Sequence, residues 1–292
     1  MSTLLIKHSE LILNKDGSVY HLNLKPENIS HTIIVVGDQN RVEKITKYFD
    51  EIEFETQKRE FKTQTGTYKG KRITVLSTGI GPDNIDIVLN ELDALVNIDL
   101  TTRKPKENIT SLDIIRVGTS GALQKEIPID SFLLSTHGLD LNGMLHFYQI
   151  NSIKNKDIED AFIEHTIWNP DKARPIVIKG SSDLEAQFDS ASIHKGLTAT
   201  ASGFYGPQGR MIRLPLEDIT LNNKMNTFDF KGVQITNFEM ETSAIYGLAA
   251  LLGHKAISLS AIISNRADGS FSKNPEKVIE ELILYVLEKT IQ

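Results

Sequence analysis

Arg116 stands inside an apolar run, Leu112, Ile114, Ile115 and Val117, that leads into Gly118, Thr119 and Gly121. A guanidinium in such a run must be offset by charge-assisted hydrogen bonds of roughly 1.5–3 kcal/mol each, so an anion is needed beside it. That anion is either a buried Asp or Glu of the chain or a ligand, and the sequence leaves the two readings level. The run reads as a buried strand that delivers Arg116, Thr119 and backbone amides to a glycine-bounded loop at its carboxyl edge.

Four other stretches carry residue types with chemistry. In GDQNR, Gly37 permits close backbone approach and Arg41 falls in the first turn of a helix, where free N–H groups favour an anion. GIGPDN, Gly79 to Asn84, half resembles a dinucleotide fingerprint, but Pro82 and Asn84 break it, and a tight turn with a helix cap is the better reading. GFYGPQGR places Phe204 near Gln208 and Arg210, an aromatic wall beside an amide and a guanidinium, which suits a flat heterocycle bearing carbonyl and N–H groups. In NFEMET, Glu239 and Glu241 flank Met240; one glutamate can bind vicinal hydroxyls from the cleft, or both can complement a helix dipole. His21 and His146 belong to no metal-ligand spacing, and a zinc site is not expected.

These residues need elements to hold them. Short Ile- and Val-rich runs, each followed by a Gly, Asn or acidic cluster, recur at Thr32–Arg41, Ile73–Asn84, Ile114–Gly121, Pro175–Ser182, Val233–Thr242 and Ile257–Gly269. Amphipathic helical patterns fall between several of them, after Asp38, after Pro82 and after Pro275, and Glu239–Leu252 reads as a largely buried helix. The expectation is α/β layering around a mixed sheet, one domain over residues 1–292 with an N-terminal arm of about thirty residues. Thr101–Ser111 is expected to be a polar surface loop.

Composition narrows the class. The 292 residues carry a net charge of −6 and no cysteine. The global field therefore repels nucleic acid and anionic lipid, and disulfides, thiolate metal sites and cysteine nucleophiles are excluded. No apolar run approaches a membrane span and the N-terminus lacks a signal-type core, so a soluble, cytoplasmic protein is expected.

Taken in order, YHLNL, GDQNRV, KREF, STGIG, IRVGTSG, LNGMLHF, FYGPQGR, NFEMET and IISNR resemble the motifs of the nucleoside phosphorylase family, from about His21 to Arg266. The resemblance implies a three-layer α/β/α sandwich and phosphate-dependent cleavage of a pyrimidine nucleoside, uridine foremost, with inorganic phosphate as co-substrate and no organic cofactor. It implies phosphate at Gly37, Arg41, Arg116 and Thr119, with Arg59 reaching in from a neighbouring subunit. Ribose falls to Met240 and Glu241, with His21 also supplied across a dimer interface. The base falls to Phe204, Gln208 and Arg210, with Arg266 close by. The reacting groups are thus Arg116, Thr119, Gln208 and Arg210. The family forms homo-oligomers, a dimer or three dimers in a hexamer, and some members hold a monovalent cation such as potassium near positions matching Glu60, Ile80 and Asn84; here Asn84 replaces the family's serine. Purine-cleaving members carry an aspartate where this chain has Asn265.

Chemistry supports the same class. Three arginines suit a phosphate dianion set against a sugar carbon, and donors at the base suit a leaving group that gains negative charge. The alternatives are a purine nucleoside phosphorylase or nucleosidase of the same fold, a nucleoside-binding protein without catalysis, and a dinucleotide-dependent oxidoreductase argued from GIGPDN.

Overall fold

The computed structural model describes residues 5–292; the first four residues of the expected arm lie outside that range. Its core is a mixed sheet in the order Asp229–Phe230, Val233–Glu239, Ile193–Thr200, Phe132–Asp140, Lys255–Asn265, Asp113–Ala122, Thr32–Val36, Lys71–Ser77, Phe61–Tyr68 and Glu51–Lys58. Thr32–Val36 pairs in parallel with both Lys71–Ser77 and Asp113–Ala122, which line up their carboxyl ends. Alternation along this central strand explains the two helical layers. Ile33 and Val35 face the layer that contains Pro82–Asn97 and Thr242–Leu252. Ile34 and Val36 face Gln39–Thr46, Ser182–Phe188 and Pro275–Thr290. The expected three-layer sandwich is what the chain forms.

Local chemistry sets the helix starts. Asp38 accepts the Asn40 N–H and begins Gln39–Thr46, which fixes Arg41 in the first turn. Pro82 opens its helix behind Gly81, whose φ of 100° is one few side chains adopt. The buried helix begins at Thr242 rather than Glu239, because Glu239 ends its strand and caps the helix from below.

The main departure from expectation lies after Arg116. Gly118 to Gly121 is no loop: the strand runs on to Ala122. There it changes partner, with Gly121 opposite Phe238 and Ala122 opposite Asn237. That pairing joins Asp113–Ala122, Lys255–Asn265, Phe132–Asp140, Ile193–Thr200 and Val233–Glu239 into a closed ring. Glycine suits both the bend and the crowding, since a Cβ at Gly121 would meet the Ser264 hydroxyl at 2.7 Å.

The polar stretch after residue 100 also differs from a plain loop. Ile98–Asp99 pairs with Lys104–Pro105. Arg103, buried in that hairpin, donates to the carbonyls of Ile6, Lys7 and Leu11, and so holds the N-terminal arm against the body. Among the described residues no helix is long and apolar enough to cross a membrane.

Candidate active site

Ring closure decides which side chains meet. Val233–Glu239 is pulled against the end of the Arg116 strand, so Glu239 and Glu241 arrive at a guanidinium far away in sequence. Arg116 Nη2 lies 2.7 Å from Glu241 Oε2 and 3.2 Å from Glu239 Oε2, and all three side chains are buried. Burial opposes the charge of Arg116, and the two carboxylates more than offset it, holding its pKa above the ordinary value. The structural partner expected as one reading is therefore present. The other reading is not displaced, because Arg116 also lines an open cleft of about 820 Å³.

The two glutamates divide the two roles open to them. Glu239 accepts the hydroxyl of Thr200 and the N–H groups of Glu241 and Thr242, which makes it the cap of the helix behind. Glu241 lines the cleft beside Met240, with Oε1 on the Gly81 N–H at 2.9 Å and Oε2 on Arg116. Burial raises the pKa of Glu241. Each of its oxygens keeps a lone pair for a hydroxyl donor.

Arg41 reaches into the same cleft and donates to the Val117 carbonyl at 3.2 Å. Among the described residues no carboxylate lies within ion-pair distance of it. Burial, and then the like charge of Arg116, pull its pKa below the ordinary value. A half-desolvated guanidinium without a counterion, next to one already shared, sets up a local demand for an anion. Gly37 and Thr119 line the wall between them.

The far end of the cleft is built by the loop after Ile193–Thr200. A 3₁₀ turn, Gly206–Gln208, buries Gln208 to 3% exposure. Its Oε1 accepts from Arg210 at 2.6 Å and from Arg266 at 2.8 Å, which leaves Nε2 as the donor of that amide. Arg210 lies on the Phe204 ring, 3.7 Å from its centre. Burial lowers the pKa of Arg210, and burial followed by the charge of Arg210 brings Arg266 to about 10. This end therefore presents donors and positive charge, with an aromatic face beside them.

Several expected residues fall elsewhere. Phe204, Gln208 and Arg210 line the cleft, whereas Arg266 stands behind Gln208 and acts on it. His21 and Arg59 do not line the cleft of their own chain. His146 faces a separate cavity and bonds the Arg174 carbonyl. Glu60, Ile80 and Asn84 share the cleft rim, but the Asn84 amide donates to the Ile80 carbonyl at 3.3 Å. That bond takes one of the two lone pairs of the Ile80 oxygen. Phe271, from the short strand Ser270–Phe271, also lines the cleft and went unnoticed in the sequence; its only signal was an exposed aromatic after a DG turn.

Asn265 is turned away from the cleft. Its Nδ2 donates to the carbonyls of Gln124 and Ile127, and its Oδ1 accepts the Ala267 N–H. Asn265→Asp would face two carbonyl oxygens with a carboxylate, at a cost of about 1–3 kcal/mol. The expected result, from thermal melting and an inosine assay, is a less stable protein with no purine cleavage gained. Purine turnover by the variant would show instead that this side chain can swing to the base.

The matches with known proteins agree with this geometry. The model of the phosphorylase superfamily matches residues 31–288. A uridine phosphorylase of Thermococcus kodakarensis is 30% identical over 269 residues, 90% of this chain and 83% of its own. One from Haemophilus influenzae is 26% identical, covering 91% of this chain and 96% of its own. The solved structure of a Trypanosoma brucei nucleoside phosphorylase, described as showing uridine phosphorylase activity, aligns with a TM-score of 0.87 at 28% identity over 96% of this chain and 99% of that one. With a sandwich, a cleft at the strand ends and a family model spanning most of its length, the chain belongs to the phosphorylase superfamily.

Proposed function

We propose that the chain is a pentosyltransferase that uses inorganic phosphate to cleave uridine, in a reversible reaction, into uracil and ribose 1-phosphate, and that it works in the cytoplasm as a homo-oligomer. The observation that carries this reading is the division of charge along one cleft. Arg41 and Arg116 form a cationic end, Glu241 and Met240 a middle that accepts hydroxyls, and Gln208 with Arg210 a donor-rich end against Phe204.

Phosphate held by Arg41 and Arg116, with Gly37 and Thr119 beside it, is set against C1′ of the sugar. One of its oxygens forms the new bond to C1′ as the bond from C1′ to the base nitrogen breaks, and the electron pair leaves with the base. Glu241 grips the sugar hydroxyls while the ring gains cationic character. Charge that moves onto the uracil carbonyls meets Gln208 Nε2 and the Arg210 guanidinium, donors already in place before the reaction. The uracil anion then takes a proton. Water as nucleophile would leave the Arg41 end without a function.

The test is release of free base from uridine, thymidine and inosine, each with and without phosphate. Uracil release that requires phosphate is expected, with little from inosine. Base release independent of phosphate would point to a nucleosidase, and saturable uridine binding without turnover to a binding protein.

A further inference from the structure

His21 and Arg59 lie outside their own cleft, yet they sit on two turns that are tied together. Lys58, the last residue of the edge strand Glu51–Lys58, sends its ammonium to the Tyr20 carbonyl and to Asn14 Oδ1 at 3.1 Å. The same nitrogen lies over the Tyr20 ring, 4.2 Å from its centre, and Tyr20 meets the His21 ring edge-on at 4.9 Å. A neighbouring tie runs from Asn23 Nδ2 to Thr56 Oγ1 at 2.9 Å.

Both ends of this link are fixed from behind. The Glu91 carboxylate accepts the N–H groups of His21 and Leu22 and lies 2.6 Å from His21 Nδ1. That leaves Nε2 as the nitrogen free to act outward. On the other side of Lys58, Arg59 is exposed with a φ of 56°, a backbone state that an arginine seldom adopts. No hydrogen bond or ion pair holds its guanidinium among the described residues. A half-buried imidazole and an exposed guanidinium thus stand on neighbouring turns of a single edge, tied by an ammonium with three directional partners.

We propose that Lys58 is a positioning residue that locks the His21 turn to the Arg59 turn, so that imidazole and guanidinium enter the cleft of a second copy of this chain as one preset pair. This rests on the phosphorolysis proposed above and on the cross-subunit placement of His21 and Arg59 that the resemblance implies. Few side chains could replace it, since the bond to Tyr20, the bond to Asn14 and the charge over the Tyr20 ring all come from one ammonium at the end of a four-carbon stem.

Steady-state kinetics of the full-length chain test it. Lys58→Met keeps the alkyl stem and loses the ammonium; KM for uridine and for phosphate should each rise about tenfold, because two ligands lose their register together. Melting temperature and oligomer size by sedimentation should stay as in the parent, and Lys58→Arg should restore most of the loss. In a His21→Ala, Arg59→Ala background, Lys58→Met should cost almost nothing more. An unchanged KM for both substrates, or an equal cost in that background, overturns the positioning role while leaving the phosphorolysis reading intact. A parent chain without phosphate-dependent uracil release overturns both.

Discussion

Arg116→Ala is expected to lower kcat/KM for phosphate-dependent uracil release by about a thousandfold or more, and to lower the melting temperature as well. The first effect follows from removing a fixed cation where the attacking anion sits and where charge redistributes; loss of one such donor commonly costs two to three orders of magnitude. The second follows from the neighbours, since Glu239 and Glu241 would be left buried without their counterion. Breaking a buried pair in this way costs about 3–5 kcal/mol. The two effects separate in the double variant Arg116→Ala, Glu239→Gln, which removes part of the uncompensated charge and leaves the sugar-binding Glu241 in place. Melting should recover in part while uracil release stays near background. Recovery of activity along with stability would mean that Arg116 only braces the fold and that Arg41 alone holds the anion.

Gly118→Ala is expected to cost about a hundredfold in kcat/KM while leaving a folded chain. Gly118 is two residues after Arg116 on the same strand, so its bare face lies under the guanidinium. A Cβ there would come within 2.5 Å of Arg116 Cζ and 2.7 Å of Nη2. The guanidinium must then lift off the strand, and its bonds to Glu239 and Glu241 are too short to absorb that move without turning it toward or across the cleft. Overpacking of this kind costs about 1–3 kcal/mol, which a chain of this size survives. Kinetics alongside a melt decide it: wild-type turnover would show that the guanidinium slides aside without losing its grip.

What could be read from the sequence was what local patterning encodes. Alternating Ile and Val around Thr32–Val36, the Asp38 cap that fixes Arg41, and the Pro82 and Pro275 helix starts all follow from spacing and backbone chemistry within a few residues. The residues of the cleft were largely legible too, because guanidinium, amide and carboxylate groups at strand ends have few other uses. Partnerships between distant segments were not. Gly118 and Gly121 suggested a loop because glycine is commonest there; the sequence holds no local sign that Val233–Glu239 pairs back onto them. For the same reason the buried pairing of Arg116 with Glu239 and Glu241, the clamp that Asn265 places on Gln124 and Ile127, and the hold of Arg103 on the arm could only be seen once the chain was folded. The sequence treated Asn265 as a missing acid, whereas in the fold it is an amide spent on carbonyls.

The ring of five strands has a mechanical meaning. Like the staves of a cask under a hoop, each member is hydrogen-bonded on both sides, so the floor beneath Arg116 has no free edge strand. The rim, by contrast, is irregular chain, the stretch from Gly203 to Arg210 and the short strand with Phe271. A closed floor under an irregular rim ties the phosphate end to paired strands and leaves the base end to loop chain, whose shape fewer hydrogen bonds dictate.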